Sequence, residues 1–182
     1  GTIDYFGNPI PAPGEFSSFA TALPIPPTGS RYTNYFRTTF TVPDDGATYN
    51  NPVLRYILDD GGFIYLNGQL ILQVNMAAGI RDAYSTLAAG TVATETELRK
   101  AELNLAAGSL TGGNSSTGLA GNATVSQQVL ELPPGEHTLA VAVHSASNGS
   151  SDMLLALQLQ VTTASYLDLS SSSSAASVMT KS

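Results

Sequence analysis

Two adjacent carboxylates, Asp59 and Asp60, sit inside a largely apolar stretch, VLRYILDDGGFIYLNGQLILQVN, running from Val53 to Asn75. Successive residues of an extended chain point to opposite faces, so this pair is poorly placed to flank one bond as glycosidase carboxylates do. As hard oxygen donors they suit calcium instead, with a turn carbonyl and Asp152 completing the set. The plainer reading is a hydrogen-bonded β-turn. The chain has two histidines, His137 and His144, and no cysteine, which leaves zinc short of ligands and removes thiolate and iron–sulfur chemistry. His144 closes the run LAVAVH and reads as a satisfied histidine of the sheet. No GxSxG elbow, HExxH pair or phosphate-binding loop occurs, so no enzymatic activity is expected.

Flat aromatic rings are the usual platform for a sugar. The chain has eight tyrosines and no tryptophan. Tyr84, Tyr65 and Tyr56 are the candidate ligand-binding rings, although alternation favours a place for them in the core or an interface. Three N-x-S/T sequons, at Asn114, Asn122 and Asn148, fall in expected loops and are candidate glycosylation sites.

The elements that would position these groups are strands. RYTNYFRTTFTV places Tyr32, Asn34, Phe36, Thr38 and Phe40 on one face, and PDDG closes the strand as a turn. Val53 to Leu58, Phe63 to Leu66 and Gln69 to Val74 form three more, broken at Asp59–Gly62 and joined at Asn67–Gly68, the strongest short hairpin signal. Val125 to Leu132, His137 to His144 and Met153 to Thr163 complete the set. One helix is expected in between. Thr94 with Glu97 makes a capping box, Glu95 pairs with Arg99, and Leu98, Ala101 and Leu105 form an apolar stripe ending at Gly108. Strands with one surface helix predict an all-β fold: an antiparallel two-sheet jelly-roll β-sandwich over 31–164, with a helix and Gly-rich loop insertion at about 94–124.

The ends differ in texture. Residues 1–30 carry most of the ten prolines and predict an extended arm; residues 165–182 form a serine-rich tail that orders only when something outside it supplies hydrogen bonds. Only 12% of the 182 residues are charged, and the net charge is -7, which repels nucleic acid. No run approaches the length of a membrane span, so no membrane insertion is expected. The chain opens at Gly1 without a basic and apolar leader, and an export signal is expected to have been removed. A hydroxyl-rich, charge-poor surface fits an extracellular protein whose copies pack side by side.

The order of blocks YFRTTFTV, LRYILDDGGFIYLNGQLILQVNM, AAGIRDAYSTLA and LPPGEHTLAVAVHSASNGSSDMLLALQL resembles a galactose-binding-like β-jelly-roll domain, of the DDG…YLNG type, attached to large secreted bacterial proteins. The likeness covers about 100 residues and implies a two-sheet sandwich in a non-catalytic role, carbohydrate binding or adhesion. The proline-rich arm stands where that domain has an aromatic lead-in with a tryptophan. The expected function is a secreted structural protein that self-assembles into a filament, tube or sheath, its terminal arms exchanged between copies. The alternative is a carbohydrate-binding module of a larger secreted protein. Its partners are then copies of itself or glycans, and no cofactor beyond calcium is expected.

Overall fold

The computed structural model describes residues 2–3, 9–10, 27, 29–91, 101–112, 123–150 and 153–163. All regular structure among them is β. Two short strands, β1 (Thr2–Ile3) and β2 (Pro9–Ile10), form an antiparallel ribbon of their own. The remaining strands are β3 (Thr33–Val42), β4 (Tyr49–Asp59), β5 (Gly61–Leu66), β6 (Gln69–Val74), β7 (Ala101–Asn104), β8 (Ser109–Gly112), β9 (Ala123–Val125), β10 (Glu131–Leu132), β11 (Gly135–His144) and β12 (Leu154–Thr163). They make two antiparallel five-stranded sheets.

In the first sheet β4 is flanked by β12 on one side, and by β7 and β10 on the other, with β8 beyond β7. The second runs β3-β11-β5-β6-β9. Leu54, Tyr56 and Leu58 of β4 share one core with Ile64 and Leu66 of β5, Leu72 and Val74 of β6, and Val141 and Val143 of β11. The two sheets therefore bury their inner faces against each other, in the manner of a β-sandwich.

Alternation sets the faces as the sequence suggests. Phe36 and Phe40 pack on the core, while Tyr35 and Arg37, on either side of Phe36, are exposed. On β11 the larger Leu139, Val141 and Val143 face inward, and Ala140, Ala142 and His144 face outward. The Asn67–Gly68 turn has positive φ at both residues, 52° and 78°, as a type I′ hairpin requires.

Two expectations fail. The helix over 94–108 is absent wherever that span is described: Ala101–Asn104 is β7, paired with β4, and Ser109–Gly112 returns beside it as β8. Thr94, Glu95, Glu97, Leu98 and Arg99 lie outside the described residues. Leu103 and Leu105 are fully buried and alternate with Asn104, so a two-residue period won over the i,i+4 pairing of Ala101 with Leu105. Gly108, at φ 64°, serves the β7–β8 turn. Likewise Val125–Leu132 is not one strand. β9 ends at Val125 in the second sheet and β10 begins at Glu131 in the first, with the chain crossing between sheets at 126–130. The tail 165–182 and most of the arm 1–30 lie outside the described residues.

Candidate functional site

On the outer face of the second sheet, register places Tyr35 and Phe63 on either side of Ala142, and Arg37 and Tyr65 on either side of Ala140. Neighbouring strands lie about 4.8 Å apart, so the two banks stand roughly 10 Å apart. Alanine methyls keep the centre low. The result is a furrow of about 280 Å³ lined by Tyr35, Arg37, Tyr65, Asp82, Ala140 and Ala142.

The loop between β6 and residue 91 closes one end of this furrow. Asn75, at φ 48°, turns the chain, and its Nδ2 donates to the carbonyls of Asp60 (2.9 Å) and Gly90 (2.7 Å). The Ala88 N–H donates to the Ser145 carbonyl at 3.0 Å, and the Ala89 N–H to the Asn75 carbonyl at 2.8 Å. Asp60 accepts the Ala146 N–H on Oδ2 at 2.7 Å. A Cβ on Gly61 would meet Ala88, Asn75 and Met76 within 2.9 Å, so the loop lies directly on the glycine backbone. The DDGG segment is thus where the chain passes from the first sheet to the second and where the loop is pinned.

From this loop Asp82 reaches the furrow. Its Oδ2 accepts the Tyr65 hydroxyl at 2.9 Å, and its Oδ1 stands 3.2 Å from Nε2 of His144, which is fully buried. His144 Nδ1 lies 2.9 Å from the Thr86 carbonyl and 2.9 Å from Thr33 Oγ1, whose own hydrogen goes to the Tyr84 carbonyl at 2.6 Å. Nδ1 therefore donates. Nε2 in turn faces a carboxylate, so the arrangement has an acceptor for a proton on each ring nitrogen. His137 differs: it stacks on Phe40, its Nε2 donates to the Pro133 carbonyl, and its Nδ1 accepts from Asn67.

Thr33, His144 and Asp82 have the composition of a hydrolytic triad but not its geometry. The Thr33 hydroxyl proton points to a backbone carbonyl rather than to the imidazole, and the residue is buried. The group acts as a latch, tying the loop to β3 and β11. Burial first, then the hydrogen bond and charge of Asp82, hold the Tyr65 phenol well above its ordinary range. Burial and the charge of Asp82 push Tyr35 the same way. Both remain neutral hydroxyl donors at the edge of the furrow.

Of the three tyrosines singled out in the sequence, Tyr65 lines the furrow. Tyr84 lies beside it, 55% exposed, packed on Tyr32 with centroids 5.7 Å apart and donating to the Ser30 carbonyl. Tyr56 faces the core at 2% exposure, its hydroxyl without a partner among the described residues, and so cannot contact a ligand on either surface. Asp59 and Asp60 are both buried, and Asp152 lies outside the described residues. Among the described residues no three His, Asp or Glu side chains converge as a metal site. Asn148 is exposed in a turn, whereas Asn114 and Asn122 lie outside the described residues. The sequence reading missed Tyr35, Arg37, Asp82, Ala140 and Ala142. The alternation of small with large residues in LAVAV is the signal that could have found the floor.

A second feature lies between the sheets. Among the described residues β3 pairs only with β11, and β12 only with β4, so each is an edge strand. Both line one apolar slot of about 320 Å³, through Phe40 and Val42 of β3, and Leu157, Leu159 and Val161 of β12, with Tyr49 and Leu139 behind. These two edges therefore lie on the same side of the two packed sheets.

No protein-family model, curated protein or solved structure matches the chain.

Proposed function

We propose that the chain is a non-enzymatic, extracellular building block of jelly-roll type, whose copies join into a filament, tube or sheath by exchanging terminal segments. The observation that carries this reading is the slot between β3 and β12, where partly buried Phe40, Leu157, Leu159 and Val161 leave an apolar opening to the core. Covering apolar area of this kind stabilises by about 25 cal/mol per Å². An extended segment laid there gains ladder hydrogen bonds from an edge strand as well. The arm 1–30 leads into β3, and the tail 165–182 follows β12, so both low-complexity ends join the two strands that frame the slot. A head-to-tail contact whose rotation does not close generates an open polymer. The low charge content supports the same reading, since few ions need desolvating where copies meet.

Electron microscopy and light scattering of the full chain, of chains lacking residues 1–26 or 165–182, and of the double deletion test it. Fibres are expected from the full chain, and a folded monomer from the double deletion. Fibres of unchanged length from the double deletion, or a full chain that remains monomeric at high concentration, overturn it.

A further inference from the structure

We propose that the furrow on the outer face of the second sheet binds a hydroxylated six-membered ring bearing one carboxylate. This site is separate from the slot, and the inference stands whether or not copies assemble.

Three observations carry it. The first is shape. The banks set by Tyr35 and Arg37 on β3, and by Tyr65 on β5, leave the width of one strand between them, floored by Ala140 and ending at the buried Ala142. A single ring lies flat on such a floor with its edges against aromatic walls.

The second is the state of the polar groups. Asp82 has both carboxylate oxygens engaged on the protein side, Oδ1 by His144 and Oδ2 by Tyr65. A hydroxyl still finds the unused lone pairs of these oxygens and the two phenols. Asp82 and the tyrosine hydroxyls thus form a polar rim for hydroxyl groups.

The third is Arg37. It stands at the end of the furrow away from the loop, directly across Ala140 from Tyr65, with no hydrogen-bond or ion-pair partner among the described residues. Its guanidinium is an uncommitted cation on a chain of net charge -7, and its planar fork matches a carboxylate. The furrow therefore offers hydroxyl-binding groups where Asp82 meets Tyr65 and a carboxylate-binding group on the facing bank. Both a sugar acid and a hydroxybenzoate have this chemistry.

The test uses the full chain, isotope-labelled, titrated separately with D-glucuronate, 4-hydroxybenzoate and D-glucose while the backbone amide signals of Tyr35, Tyr65, Ala140 and Ala142 are followed. Dissociation constants on the order of 1 mM are expected for a carboxylate ligand of this size. Binding of glucuronate alone assigns the site to sugar acids, and of 4-hydroxybenzoate alone to aromatic acids; both support the proposal. Arg37→Gln and Ala140→Leu, two changes on the outward face that leave the core untouched, should each weaken binding at least tenfold with signal dispersion retained. Glucose binding as tightly as glucuronate overturns the proposal. So does an absence of shifts at tens of millimolar, or binding that neither variant weakens.

Discussion

The Tyr56 hydroxyl is a polar atom buried in the core with no hydrogen-bond partner among the described residues, and burial alone drives its phenol well above the ordinary tyrosine range. An unsatisfied buried hydroxyl costs about 1–3 kcal/mol, whereas the ring itself packs against the inner faces of both sheets. Tyr56→Phe is therefore expected to stabilise the fold by about 1 kcal/mol, read as a higher urea midpoint at unchanged slope. The same residue predicts an alkaline limit. A tyrosine in the unfolded chain loses its proton near pH 10, while Tyr56 and Tyr65 in the fold hold theirs longer. The unfolded state thus releases protons first, and stability, fully present below about pH 10, falls as pH rises beyond it. Denaturant titrations at rising pH should show that fall, and the Tyr56→Phe variant should show a shallower one.

At the scale of elements, the loop after β6 has no regular structure of its own; its Met76 and Ala88 pack on Phe63 and Ala142 of the sheet, and a few polar contacts hold it there. Asp82 joins it to His144 on β11 and to Tyr65 on β5. Removing that carboxylate in Asp82→Ala leaves the buried imidazole with one partner fewer and frees the Tyr65 hydroxyl, at a cost of roughly 1–3 kcal/mol to loop closure. Hydrogen exchange at the Ala88 and Ala89 amides should accelerate about tenfold or more, while the β11 amides keep their protection. Equal acceleration in β11 would mean that the loop and the sheet open as one unit.

For the whole molecule the controlling quantity is charge. Copies at net charge -7 repel one another, and the attractive surface of the slot is apolar. Assembly should therefore speed up as salt rises from 10 to 150 mM, the screening length falling from about 30 Å to about 8 Å. Turbidity or scattering growth rates measure this. Slower growth at higher salt would point to a contact built on ion pairs instead.

How much of this was legible beforehand follows from range. Alternation marked β3, β5, β6, β11 and β12, and the Asn67–Gly68 turn announced its hairpin, because strand faces and type I′ turns are set by residues within a few positions of each other. Ala101 and Leu105 fit a helix and a strand equally well until β4 is seen beside them. The pairing of Val53–Tyr56 with Ala101–Asn104 decides the matter, and that partner is some fifty residues away. The furrow is further still from local reading: Tyr35, Tyr65, Asp82 and Ala140 come from four separate segments and meet only through the β3-β11-β5 register and the loop laid across it. By itself the sequence determined that the chain is built of strands, which residues face inward along most of them, and how little charge it carries. Only the tertiary structure decided which strands are neighbours, and with that which polar side chains share a surface and which sheet edges stand open, because those depend on pairings between residues far apart along the chain.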